Sequence, residues 1–151
     1  VDGPNWLRDN PWPMISVVMV QVFKNLGMNM IFFLAALQGV PEEMYESSEI
    51  DGANSWQQFK KITMPFISPT ILLVAILTIA GAFQVFAQVL LLTGGGPGLS
   101  TTVLSYYIFI NAFQIFDLGY ASALAVCLFV FVMGLTVAQW QIRTRWVFRE
   151  V

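Results

Sequence analysis

Two sets of side chains in this 151-residue chain could do chemistry. The first is a dense run of charge between residues 41 and 69, PEEMYESSEIDGANSWQQFKKITMPFISP, which holds five of the nine acids and two of the seven basic residues. Glu42, Glu46 and Glu49 stand at i, i+4 and i+7, a single stripe on a helix. Such a stripe can accept charge-assisted, direction-specific hydrogen bonds from a basic partner; it equally suits a helix face that is only solvated. The second set is polar groups inside apolar runs: Lys24, Asn25 and Asn29, then Gln84 and Gln88 interleaved with Phe83 and Phe86. Amides beside aromatic faces suit a solute with hydroxyls and apolar ring faces, as sugars have. They also suit pairing between helices. Neither set is catalytic. The chain has no histidine and one cysteine, Cys127, which excludes a His-based triad, a Cys/His zinc site and an internal disulfide. Cys127 lies in an apolar run and reads as a small buried hydrophobe. No G-x-x-x-x-G-K-[ST] pattern occurs, so the chain does not hydrolyse ATP itself.

These groups must be positioned by membrane elements. The chain is 57% hydrophobic and 11% charged, where a soluble domain carries about a quarter charged residues. Its net charge of −2 gives no case for nucleic acid. Residues 14–38, 66–92 and 118–142 are each long and apolar enough to span, with Gln84 and Gln88 on one face of the second. Residues 1–13 read as an exposed loop with Trp6 and Trp12 as interface anchors, and 93–117 as an outer loop followed by a short interfacial or re-entrant helix. Its glycines, Gly94 to Gly96 and Gly98, make a tight turn, Thr101 and Thr102 cap the helix, and Tyr106 and Tyr107 sit with rings buried and hydroxyls wet. In the last span Gly119, Ala121, Ser122, Ala123 and Ala125 form a small-residue face for close helix contact. Lys60 and Lys61 in the central loop and Arg143, Arg145 and Arg149 in the tail are separated by two crossings. The positive-inside rule puts both in the cytoplasm, with residues 1–13 and the glycine loop outside.

Within the central loop, Pro41 suits a first helical position and Gly52 a left-handed helix end. Ser55 and Gln58 have capping-box spacing for a second helix, and Pro65 and Pro69 bound the piece before the next apolar run. Because the chain starts at Val1 with no basic n-region or cleavage site, it reads either as processed or, in preference, as a fragment lacking earlier segments.

One spacing in this loop is specific. Glu46-Ser47-Ser48, three residues, Gly52, nine residues, then Ile62-Thr63-Met64-Pro65 resembles the EAA loop of ABC importer permeases: Glu-Ala-Ala, three residues, Gly, nine residues, Ile, any residue, Leu-Pro. Ser47 and Ser48 replace the alanines and Met64 the leucine. Two further blocks, LLTGGGPGLSTTVLSYYIF (residues 91–109) and FDLGYASALAV (residues 116–126), are similar to the sugar-permease branch. The resemblance covers nearly the whole chain and implies the C-terminal half of a protein about twice as long.

It implies an all-α fold: a polytopic membrane helix bundle like the type I ABC importer permeases, with three spans, a cytoplasmic coupling helix and an outer interfacial helix. It also implies a sugar-importing permease in a prokaryotic cell membrane. Its partners would be a second permease chain, two ATPase subunits that hold the ATP and Mg, and an extracytoplasmic solute-binding protein. This chain would hold no cofactor. The resemblance gives Glu46, Ser47, Ser48, Asp51, Gly52, Ile62 and Pro65 to ATPase coupling, Glu46 pairing with an ATPase basic residue, Asp51 fixing the Gly52 turn by an Asx-type bond and Pro65 setting the exit angle. The substrate path would run past Lys24, Asn25, Asn29, Gln84, Gln88, Phe83 and Phe86. Two other readings stay open. Lys24 in a cavity would favour glycerol phosphate or another polyol ester, and amides all consumed between helices would mark a structural subunit with no path.

Overall fold

The computed structural model describes residue 3 and residues 5–146, with side chains through residue 141. Of the basic tail, Arg149 lies outside the described residues, as do the side chains of Arg143 and Arg145. The described residues are all helix and loop. Helix α1 is Trp12–Gln38, α2 Glu42–Ile50 and α3 Ser55–Gln58; a π-helical turn, Phe59–Thr63, leads into α4, Met64–Ala82. Then come α5, Ala87–Leu92, and α6, Leu104–Phe109, followed by a second π-turn at Ile110–Gln114 and by α7, Leu118–Trp146.

Among the described residues three helical runs are long and apolar enough to cross a membrane: Trp12–Gln38, Ser55–Ala82 and Leu118–Gln141. In each, no more than 17% of the most apolar window is buried within the chain. Their remaining apolar surface needs lipid or further helices, because water would not tolerate it.

The second span differs from its sequence reading at both ends. It begins at Ser55 and runs through Pro65 and Pro69 rather than being bounded by them. A proline ring collides with the carbonyl four residues back and cannot donate. The wide turn at Phe59–Thr63 precedes Pro65, with Met64 N–H reaching back to the Phe59 carbonyl. Pro69 leaves the Pro65 carbonyl without its helical donor, and the Ser68 hydroxyl donates to it instead at 2.8 Å. At the other end the helix stops at Ala82 and does not continue to residue 92. Residues 83–86 form a break, held by Phe83 against Phe131 (5.1 Å between centroids), Phe86 against Phe109 (5.0 Å) and a Ser105 hydroxyl on the Val85 carbonyl (2.6 Å). Gln84 therefore lies in the break and Gln88 on α5, so the two do not share a helix face.

α1 and α4 run antiparallel. The end of α1 approaches the start of α4, where Gly39 lies near Phe66, and the start of α1 packs near the end of α4 and α5. The small core lies at that second end: Val17, Val89 and Tyr106, ringed by Val85, Phe86, Leu92, Val103, Phe109 and Ile110. Leu7 and Arg8 line an open pocket there with Thr93, Gly96 and Pro97, while α2 and α3 lie at the opposite end. α7 is antiparallel to α4 in turn, with Trp140 beside Pro69 and Leu73.

Thr101 and Thr102 do not cap α6. They close the glycine loop: Thr101 Oγ1 meets Thr93 Oγ1 at 2.7 Å and donates to the Gly96 carbonyl at 2.9 Å, and Thr102 Oγ1 donates to the Gly95 carbonyl. The Tyr106 hydroxyl is not wet either. It donates to the Gly94 carbonyl at 3.0 Å from a buried ring. Cys127 is exposed on α7 rather than buried. Of the small-residue face, Ala121 is packed inside, and Gly119, Ser122, Ala123 and Ala125 are exposed in the single chain, open to a further helix.

Candidate functional site

The elbow between α1 and the second span is built from local rules. Pro41 lies one residue earlier than its sequence reading, as the extended cap of α2 (φ −62°, ψ 133°) rather than its first residue. Glu42 and Glu43 then fill the first turn at the positive end of the helix dipole. At the far end Gly52 takes φ +78°. Its N–H bonds the Glu49 carbonyl at 2.9 Å and the Ala53 N–H bonds the Ser48 carbonyl at 2.9 Å, which is a Schellman end. The turn needs no Asx bond: the Asp51 carboxylate makes no hydrogen bond to another described residue.

The next helix is capped one residue earlier than Ser55 and Gln58 suggest. Asn54 Oδ1 accepts from Gln57 N–H and Gln57 Oε1 accepts from Asn54 N–H, each at 2.9 Å. Asn caps at least as well as Ser, and its longer side chain takes the position. Asn54→Ala removes the bond from the Gln57 N–H to Oδ1 and leaves the residue 54 N–H free to donate to Gln57 Oε1. The expected cost is about 1 kcal/mol, read as roughly fivefold faster hydrogen exchange at the Gln57 amide.

Gln58, freed from capping, lashes the elbow together. Its Nε2 donates to Ser48 Oγ at 3.0 Å, and the Tyr45 and Thr63 hydroxyls meet at 2.8 Å. Tyr45 and Ser48 thus face the chain's own second arm, while Glu42, Glu46, Ser47 and Glu49 face out. Ser48 is engaged within the chain, and Ile62 and Pro65 are half-buried behind it. Tyr45 and Thr63 were missed in the sequence, where their spacing carries no motif, and Gln58 was read there as a cap rather than as a tie to Ser48.

The other polar set lies between α1 and α4. An open groove of about 350 Å³ is lined by Gln21, Asn25 and Asn29 on one side, with Thr78, Ala82 and Val85 among the residues opposite. Asn25 and Asn29 are brought together there, and neither carboxamide bonds to another described residue. Gln21 was overlooked, although the spacing Gln21, Asn25, Asn29 at four-residue intervals was there to find it. Lys24, Gln84, Phe83 and Phe86 do not line the groove. Lys24 and Gln84 are exposed, and the two phenylalanines pack against other helices. Gln88 reaches it only indirectly, its Nε2 donating to Gln21 Oε1 at 2.7 Å. Among the described residues no cluster of His, Cys, Asp or Glu could hold a metal.

Residues 3–145 match the family described as binding-protein-dependent transport system inner membrane component. The chain belongs to this family. Among the relatives of this inner-membrane component, the trehalose/maltose transport system permease protein of Thermococcus litoralis is 36% identical over 137 residues, covering 91% of this chain and 46% of that protein. The sn-glycerol-3-phosphate transport system permease protein of Yersinia enterocolitica is 37% identical over 142 residues, covering 92% and 48%. A crystal structure of a bacterial alginate ABC transporter, in complex with an alginate pentasaccharide-bound periplasmic protein, contains a chain that superposes with a TM-score of 0.86. Sequence identity is 25%, over 100% of this chain and 53% of that one. This inner-membrane component thus spans about half the length of the relatives it matches.

Proposed function

We propose that this chain forms part of the permease subunit of an ATP-driven importer, one that carries a neutral carbohydrate across a prokaryotic cell membrane. It works with a second permease chain, two cytoplasmic ATPase subunits that bind ATP and Mg, and an extracytoplasmic binding protein. One observation carries the reading: a hydrogen-bonded elbow at one end of the bundle, and a groove with two unengaged carboxamides nearer the other. The lysines beside the elbow support a cytoplasmic position for that end. ATP-driven closure of the ATPases then moves the elbow as a rigid body, and the bundle exchanges between two states that ATP stabilises unequally.

Asn25 and Asn29 can donate to and accept from a solute's hydroxyls. A structural subunit would have spent them between helices, as Gln21 and Gln88 are spent. Because Lys24 does not line the groove, no cation there favours an ester phosphate. Import of a polyol phosphate is the second reading, and the name of the Yersinia relative favours it.

Competition for uptake settles the cargo. The full-length permease with its partner subunits, in proteoliposomes, would be given labelled neutral sugars and polyol phosphates. Saturable uptake of a neutral sugar is expected. Uptake of polyol phosphates alone selects the second reading, and uptake of neither removes the transport role. Asn25→Leu with Asn29→Leu should raise the half-saturation concentration by tenfold or more, from two lost hydrogen bonds of about 1 kcal/mol each.

A further inference from the structure

The arm that leaves the elbow carries a face that coupling and transport leave unused. Trp56 and Phe59 stack at 5.7 Å between centroids, 25° from parallel, and Trp56 is 71% exposed. Lys60 and Lys61 follow, both exposed, and neither forms an ion pair with another described residue. Trp56, Lys60 and Met64 recur every fourth residue, all exposed. The other side of the arm presents Gln58 and Thr63, and α2 grips the arm by these two residues. The element that carries Glu42, Glu43, Glu46 and Glu49 is therefore attached away from Trp56 and Lys60.

Length fixes the depth of this face. The run Ser55–Ala82 has 28 residues, or about 42 Å of helix. A hydrocarbon core is about 30 Å thick, and a bilayer with its headgroups about 40–45 Å. The uncharged residues 62–82 alone span about 31 Å. With these filling the core, Trp56 to Lys61 lie among the headgroups. Indole rings concentrate at that depth, and ammonium groups there attract the anionic lipids of the cytoplasmic leaflet.

We propose that Trp56, Phe59, Lys60 and Lys61 form a binding face for an anionic phospholipid, the lysines taking its phosphate and the stacked rings lying against its glycerol shoulder. The charge complementarity is direct, and the open aromatic pair is of no use to an arm surrounded by water. Such a lipid would hold the arm at the membrane surface, just beside the elbow.

Brominated lipids test this. The full-length permease would be placed in phosphatidylcholine nanodiscs containing a small fraction of either dibromo-phosphatidylglycerol or dibromo-phosphatidylcholine. The emission of Trp56 is isolated by difference from Trp56→Phe. The glycerol lipid should quench it at a mole fraction at least about fivefold lower, the preference expected of one or more lysines at the surface. Lys60→Gln with Lys61→Gln should bring the two lipids to parity, and Lys60→Arg with Lys61→Arg should keep the preference. Equal quenching in the unaltered protein overturns the proposal, and so does a Trp56 that neither lipid quenches because a protein subunit covers it. A preference that survives the glutamine pair overturns the role of the lysines. Where the glutamine pair fails to insert, the unaltered protein and the arginine pair still decide.

Discussion

Glu46→Lys is expected to leave the permease in the membrane and to cut solute uptake by at least tenfold, with ATP hydrolysis no longer stimulated by solute. α2 is fixed by its Schellman end at Gly52 and by Tyr45 and Ser48 against the second arm. None of these bonds involves the Glu46 carboxylate, which faces out. The substitution therefore spares the elbow and changes only what the elbow offers a partner. Truncating one member of a desolvated, hydrogen-bonded charge pair across an interface costs about 2–5 kcal/mol, and reversing the charge adds repulsion. Uptake and ATPase activity, measured together on reconstituted complexes, check it. Glu46→Gln should fall between, since an amide still accepts but carries no charge. Uptake in Glu46→Lys at the unaltered rate would take the docking role away from this residue. Tyr45→Phe acts on the same elbow from the inside: it removes the Thr63 bond and leaves the outer face intact.

How much of this was legible in the sequence depended on the range of the forces involved. The left-handed Gly52, the glycine loop and the three membrane-capable helices follow from backbone sterics and apolar length, both local properties. The caps were read one residue out, at Pro41 and at Asn54, because neighbouring residues compete for one N-cap and only geometry chooses between them. The break at residues 83–86 was invisible. Residues 66–92 are uncharged throughout, and the groups that hold the break open, Phe131, Phe109 and Ser105, come from distant segments. That one omission displaced Gln84, Phe83 and Phe86 from the groove and turned Gln88 into a partner for Gln21. The same limit hid the elbow's lashing, since nothing about Tyr45, Gln58 or Thr63 taken singly announces that they meet.

Gly95→Ala is expected to be the most destabilising small substitution in the glycine loop, and the reason separates conformation from space. Gly95 has φ +85°, where a side chain costs about 1–2 kcal/mol. A Cβ there would also stand 2.7 Å from Tyr106 Cε1 and 2.9 Å from Thr102 Oγ1. Tyr106 cannot yield cheaply: its ring is packed with Val17 and Val89 in the core and its hydroxyl holds the Gly94 carbonyl. Overpacking of this kind adds about 1–3 kcal/mol, for a total of roughly 2–5 kcal/mol. Gly98 supplies the control. It has φ +60°, but an added Cβ there meets nothing within 4 Å. Gly98→Ala should therefore cost only the conformational part. Thermal unfolding of the two purified variants, followed by tyrosine and tryptophan emission, gives the comparison. Equal losses would mean that Tyr106 moves aside freely. The joint of α1, α5 and α6 would then be softer than its buried Val17, Val89 and Thr101 indicate.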